Sequence, residues 1–343
     1  MIVFSIVLWN VPITQYLLVQ GYYQAKVIID RKPIDRILDD PKTSAYMKDR
    51  LALVSEIKKF GIDLGLNNSK SYTSIYDTSG QPVAYVVSAS YKDRLQGVEW
   101  NFPIVGRMPY LGFFKKDMAE KEFKKLKARG FDVLMRPVSA YSTTGILPDP
   151  LCTSLLFGSE EGLANTILHE MTHETIFIKN DMAFNESVAS FIGNQGGIDF
   201  LKMKYGDNCR QLIDSANYKH DDEIFSGFMA DLYDELDAFY RSPISSEEKI
   251  KGREKIFEKA KQDYVTKIRP LLRTNSFDYF PHLHLNNAYI LYNRGYHRDY
   301  NIFEDLYSLQ GSNLKKTIAF LKKIKNDPYY KDRIAEEVKR LKK

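Results

Sequence analysis

Two histidines four residues apart, with an acid directly after the first, restrict the fold of this chain more than any other feature: His169-Glu170-Met171-Thr172-His173. Around them Ala164, Ile167, Leu168 and Met171 recur at the spacing of an apolar helical stripe, Ser159 stands where an N-cap belongs, and Glu160 and Glu161 fill the first turn. The spacing predicts a helix over 163–178, which carries the imidazoles of 169 and 173 one above the other on a common side. Two neutral ring nitrogens so placed can close on one zinc ion at about 2.0 to 2.1 Å each. Glu170 then projects alongside the metal rather than at it, where it can take a proton from water activated there.

A hydrolytic site needs a third protein ligand and one open position. Glu186, in Asp181-Met-Ala-Phe-Asn-Glu-Ser, is the candidate. The first helix should run out near Lys179-Asn180, and Asp181 can cap a second helix whose Phe184, Val188, Phe191 and Ile192 face the core. An antiparallel return would bring Glu186 level with the two histidines. The competing reading is a solvated helix face whose histidines pair with Glu170 and Glu174, which leaves Asn185-Glu186 without a purpose. Imidazole ligands usually donate their second N–H to an acceptor. Ser190, one turn after Glu186, is a weak one, which leaves Asp181 or Asp149 as candidates. A donor to the developing oxyanion is sought in the tyrosine- and histidine-rich stretch 282–297, with Tyr296 and Tyr292 first and His297 next.

Elsewhere the texture changes along the chain. Apolar spacing between Pro33 and Leu64 is helical, with breaks expected at Pro41 and Gly61; Tyr72 to Pro109 alternates as a small, mainly antiparallel sheet would. A charged helix over 117–129, closed by Gly130, precedes a strand from Phe131, and 139–144 reads as an edge segment beside which a peptide could lie. Beyond Ser159 all is helical. In 343 residues, 44% of them hydrophobic, there is material for a real core, and the net charge of +5 is spread over mixed Lys/Glu runs, which argues against nucleic acid as a partner. Cys152 and Cys209 are read as unpaired thiols. Met1 to Gln20 is largely apolar, and is read as an export signal or membrane anchor.

The chain resembles a bacterial family of zinc aminopeptidases inferred from their motif and often exported as lipoproteins. The resemblance rests on Arg31-Lys-Pro-Ile-Asp-Arg-Ile-Leu-Asp-Asp, Arg50-Leu-Ala-Leu, Phe102-Pro-Ile-Val-Gly, Gly130-Phe-Asp-Val, Ala140-Tyr-Ser-Thr-Thr-Gly, Asp149-Pro-Leu, the run around His169 with Phe184-Asn-Glu-Ser, and Leu285-Asn-Asn-Ala with Tyr296-His297. It implies His169, His173 and Glu186 as zinc ligands, one ion per chain, and Glu170 as catalytic. Such proteins often carry a lipoprotein cysteine near the position of Tyr16; no cysteine occurs here before Cys152.

The expectation is thus an α+β, zincin-like metallopeptidase in three parts: a hydrophobic leader or anchor over 1–25, a helical lead-in with a small sheet over 26–158, and a helical zinc-binding part over 159–343. It would be exported and membrane-associated, acting on peptides as an aminopeptidase. The rivals are a zinc endopeptidase and an inactive zinc-stabilised binding protein at the membrane.

Overall fold

The computed structural model describes residues 12–68, 70–102, 106–138, 148–179, 181–297 and 300–342, with the backbone alone for 12–14, 295–297, 300 and 301. The first helix, α1 (Pro12–Asp30), crosses residue 25 unbroken. Tyr16 packs against Phe102 and Phe113 and its hydroxyl donates to the Gly112 carbonyl at 2.6 Å, while Gln20 Oε1 accepts from the Phe114 amide at 3.2 Å. The later half of the apolar stretch is therefore seated on a sheet, although Leu18, Tyr22 and Ile29 stay exposed. Residues 1–11 lie outside the described residues, and among those described no helix is long and apolar enough to cross a membrane.

After a short β1 (Lys32–Pro33) come α2 (Ile34–Asp39) and α3 (Ala45–Leu64). The chain breaks between them at Pro41, but Gly61 is no break. It lies inside α3, where a Cβ would stand 2.9 Å from Leu168 Cδ2, and the helix ends instead at Gly65 with φ 100°. Glycine at 61 is a packing device rather than a stop.

Among the described residues the strands fall into three small sheets. β2 (Ser74–Tyr76) pairs antiparallel with β1 and parallel with β8 (Leu151–Cys152). β3 (Ala84–Ser90) is flanked antiparallel by β6 (Leu111–Phe113) and β7 (Asp132–Val138), and β4 (Trp100–Phe102) with β5 (Gly106–Met108) makes a hairpin. Amphipathic α4 (Lys116–Ala128) covers one face of the β6-β3-β7 sheet through Ala119 and Leu126.

The rest is helical: α5 (Thr153–Leu156), α6 (Glu160–Thr175), α7 (Met182–Tyr205), α8 (Arg210–Tyr240), α9 (Ser246–Asp263), α10 (Asn287–His297), α11 (Tyr300–Leu309), α12 (Leu314–Ile324) and α13 (Tyr330–Leu341). One core is built where α3, α6, α7 and α11–α13 pack together through Ile57, Ile167, Phe191, Phe303 and Ile318. A second joins α8, α9 and α10 through Phe225, Leu236, Phe257 and Ile290.

A buried polar hub locks α10 to the sheet. Arg253 donates to Asp132 from both terminal nitrogens (2.6 and 3.1 Å), and Asp132 also accepts from the Asn287 amide. Asn287 Nδ2 in turn donates to the carbonyl of Tyr91, and its Oδ1 accepts from the Tyr240 hydroxyl. The Leu285-Asn-Asn-Ala run thus fixes where α10 begins relative to β7.

Candidate metal centre

Helix α6 starts as its caps demand. Ser159 Oγ accepts from the Gly162 amide, Glu160 and Glu161 sit in the first turn, and Arg50 from α3 steadies the approach by donating to the carbonyls of Leu156 and Gly158, both at 2.8 Å. The helix ends at Thr175, four residues before the expected 179–180. The cause is Asn185, fully buried on α7. Its Oδ1 accepts from the Ile178 amide and its Nδ2 donates to the Ile178 carbonyl, both at 2.8 Å, so this residue's backbone is satisfied outside a helix. The same grip sets the position of the next residue, Glu186.

Close approach of α7 to α6 is achieved with glycine. A Cβ at Gly193 would lie 2.8 Å from the Asn165 carbonyl oxygen and 3.1 Å from His169 Cβ, and one at Gly196 would lie 2.7 Å from Leu168. Any side chain there would push the two helices apart and separate Glu186 from the histidines.

The three candidate ligands converge. His169 Nε2 and His173 Nε2 are 3.1 Å apart, and each lies 3.6 Å from one oxygen of the Glu186 carboxylate. Their side-chain donors form the group of imidazoles and carboxylate that could hold a cation. A tetrahedral ion with bonds of about 2.0 to 2.1 Å has ligand-to-ligand edges of about 3.3 Å; the two nitrogens stand 3.1 Å apart, and one donor atom from each of the three residues lies within 4.8 Å of the others. Two nitrogens and one carboxylate oxygen are also the donor set that catalytic zinc takes. His173 is nearly buried, and among the described residues its Nδ1 has no hydrogen-bond partner.

The electrostatics divide the four residues. Burial lowers the pKa of His173 to about 4, with the neighbouring His169 acting in the same sense, so this ring is neutral and its nitrogen lone pair available. At His169 burial also opposes the charge, but the hydrogen bond and charge of Glu186, with the charge of Glu170, outweigh it and raise the pKa. Burial pushes Glu186 up, yet the two histidines and Arg136 bring it below its ordinary value. Glu170 is raised to about 7, chiefly by burial, with the charges of Glu186, Asp149 and Glu174 adding to it. A carboxyl balanced between its two forms near neutrality suits proton transfer in both directions.

Other expected residues are placed differently. Asp181 caps α7, accepting from the Phe184 amide, from the Tyr330 hydroxyl and from Lys331; it does not support a histidine. The backbone amide of buried Asp149 donates to Ser71 Oγ, and its charge acts on Glu170 and Tyr72. Glu174 accepts from Ser71 Oγ at 2.5 Å, so the reading in which it pairs with a histidine fails. Tyr292 is not among the residues that converge with the histidines; the Arg136 guanidinium carbon lies over its ring, 4.1 Å from the centroid. The side chains of Tyr296 and His297, and the segment 139–144, lie outside the described residues.

Three residues of the surroundings had no signal in the sequence. Tyr110, between β5 and β6, has its pKa raised to about 12 by burial and then by Glu186 and Glu170, with Arg136 opposing. Tyr72 is buried with φ 59°, a left-handed backbone uncommon for a bulky residue, and responds to the charge of Glu170. Arg136 sits on β7. All three come from the sheet side, more than 30 residues from the His169 run, and single residues at such separations leave no pattern to read.

A family model described as "Putative aminopeptidase" matches residues 15–335. No curated protein and no solved structure matches the chain.

Proposed function

Because the chain belongs to the putative aminopeptidase family, we propose that it is a zinc-dependent peptidase of zincin-like α+β fold, with His169, His173 and Glu186 holding the ion. The observation that carries this reading is the convergence of two imidazole nitrogens and a carboxylate at 3.1 to 3.6 Å, from helices that glycine allows to touch. Zinc bound there would supply Lewis acidity, polarising a peptide carbonyl and making water nucleophilic near neutral pH. Glu170, next to the first ligand but not among the three, takes the proton from the attacking water and returns it to the departing amine. Burial, with the charges of Glu186, Asp149 and Glu174, raises its carboxyl above its ordinary value. His169, His173 and Glu186 would hold the ion, and no covalent acyl intermediate is formed. Tyr296 remains the candidate donor to the oxyanion, on the strength of the sequence alone.

The apolar run of 1–20 and the exposed Leu18, Tyr22 and Ile29 of α1 support an exported protein held at a membrane surface; recovery of the full chain in the soluble fraction of its host would argue against it. The enzymatic reading is tested by digesting a peptide library with zinc-loaded protein and reading the products by mass spectrometry. Removal of amino-terminal residues is expected. Internal cutting would make it an endopeptidase, and intact peptides would refute the hydrolase assignment.

A further inference from the structure

Glu161, Asn165 and His169 follow one another on α6 at intervals of four, and so share a face that leads away from the candidate metal centre. Contacts with α7 keep to that face at each level. A Cβ at Gly197 would lie 3.5 Å from Glu161 Oε1, Asn165 Nδ2 donates to Asn194 Oδ1, and a Cβ at Gly193 would stand 2.7 Å from Asn165 Oδ1 and 3.1 Å from His169 Cβ. A polar groove between the two helices therefore runs from His169 to Glu161. Its side chains are not sealed in: Glu161, Asn165 and Asn194 are each half-buried, and 18% of the His169 side chain is exposed.

Glu161 is the acid at the far end of this groove, and the mechanism does not use it. Among the described residues it makes no ion pair; its hydrogen-bond partner is the neutral amide of Asn165. A carboxylate partly withdrawn from water without a cation beside it is costly. Helix polarity does not require it, since the amino end of a helix carries about half a positive charge and Glu160 already answers that. Gly197 leaves room next to the carboxylate. Unlike Gly193 and Gly196 it is not imposed by packing, because a Cβ there would make only ordinary contacts of 3.5 Å, and alanine would favour the helix by about 1 kcal/mol. Other acids of this region are engaged elsewhere: Glu174 with Ser71, Asp181 with Tyr330 and Lys331, Asp199 with Gln195. We propose that Glu161 is the specificity-determining residue that binds the free α-ammonium of a peptide whose first residues lie along the groove. This rests on the peptidase reading for the bond that is cut.

The length of the piece removed follows from the helix. The eight residues from Glu161 to His169 rise about 12 Å at about 1.5 Å each. An extended chain covers at most about 3.3 to 3.6 Å per residue, so about three residues, with the hydrogen bond to the carboxylate, span the distance from the metal to Glu161. The fitting substrates are peptides with a free amino terminus, and the fitting product is a tripeptide.

The test reads binding apart from turnover. Zinc-loaded full-length protein carrying Glu170→Gln is titrated calorimetrically with Ala-Ala-Ala-Phe-Ala-Ala and with its N-acetyl form. The free amine is expected to bind about tenfold tighter, in keeping with the strength of a hydrogen bond between charged groups. Adding Glu161→Gln, which keeps the shape of the side chain, should bring the free amine down to the affinity of the acetyl peptide. Glu161→Asp, which keeps the charge on a shorter stem, should fall between. Equal affinity for the two peptides with Glu161 present, failure of both to bind, or a preference that survives Glu161→Gln overturns the proposal. An equal weakening of both peptides by Glu161→Gln also overturns it, since Glu161 would then serve the fold. Wild-type turnover followed by mass spectrometry tests the length: Ala-Ala-Ala and Phe-Ala-Ala are expected first, and single alanines would overturn the spacing. The same digest separates the two readings. Cleavage of acetylated and free peptides alike leaves the peptidase and removes the amine site; amine-dependent binding without cleavage does the reverse.

Discussion

Gly193 and His169 face each other across the contact of α6 and α7, and a Cβ at 193 would stand 3.1 Å from that of the histidine and 2.8 Å from the Asn165 carbonyl oxygen. The backbone oxygen cannot swing aside as a long side chain could. In a helix, alanine is ordinarily favoured over glycine by about 1 kcal/mol, but overpacking costs about 1 to 3 kcal/mol. Gly193→Ala is therefore expected to destabilise the chain by up to about 2 kcal/mol in urea denaturation and to weaken zinc binding. Gly227, in α8 with open space around it, is the control: Gly227→Ala should stabilise. Equal behaviour of the two would mean that the helix contact is not set by glycine.

Asn185→Ala should cost more. It strips partners from the amide and the carbonyl of Ile178 at once, and each unsatisfied group costs about 1 to 3 kcal/mol. Solvent can reach part of Ile178, so a loss of about 2 to 3 kcal/mol is expected, with zinc affinity falling because Glu186 is the next residue. A variant as stable as the wild type would show that the turn holds without this side chain.

The buried hub predicts a larger loss. Removing one member of a buried ion pair leaves the other charge uncompensated, at about 3 to 5 kcal/mol, and Arg253 and Asp132 are each 6% exposed. Asp132→Ala should lower stability by that order and release α10 from β7. A melting temperature close to that of the wild type would contradict the hub's role.

Asp221 gives a pH dependence remote from the metal. Its burial alone would raise the pKa, but the amides of Arg273 and Thr274 and the ring of His220 hold it down to about 2. A carboxyl depressed in the folded chain stabilises it above the unfolded pKa near 4, and that contribution is lost as pH falls towards 2. Wild type should exceed Asp221→Asn in stability at pH 6, and the gap should close between pH 4 and 2. A gap independent of pH would remove the carboxylate from this role.

Glu170→Gln should retain zinc while kcat falls about 10²- to 10⁴-fold, the usual contribution of general acid-base catalysis. Unchanged turnover on any peptide cleaved by the wild type would take Glu170 out of the mechanism.

What the sequence disclosed and what it hid follow from range. The caps at Ser159 and Asp181, the apolar stripe of α6 and the core face of α7 depend on neighbours within a turn, and all are found as read. Gly61 read as a break because glycine is a poor helix former, whereas its reason is a neighbour more than 100 residues away, Leu168. The end of α6 differs from the expected 179–180 for the same cause, since nothing in 176–179 announces that Asn185 takes up the backbone of Ile178. Arg136 and Tyr110 are linked to Glu186 electrostatically from the sheet side, a placement that no local pattern encodes. The joining of β1, β2 and β8 into a sheet of their own is likewise a product of tertiary contact.

The central claim is that His169, His173 and Glu186 form one cation site, and metal analysis of the purified protein tests it most directly. About one zinc per chain is expected in the wild type, with little or none after His169→Ala or Glu186→Ala in protein that remains folded by circular dichroism. A folded wild type that binds no zinc when it is supplied, or a Glu186→Ala variant that holds zinc as tightly as its parent, would contradict it.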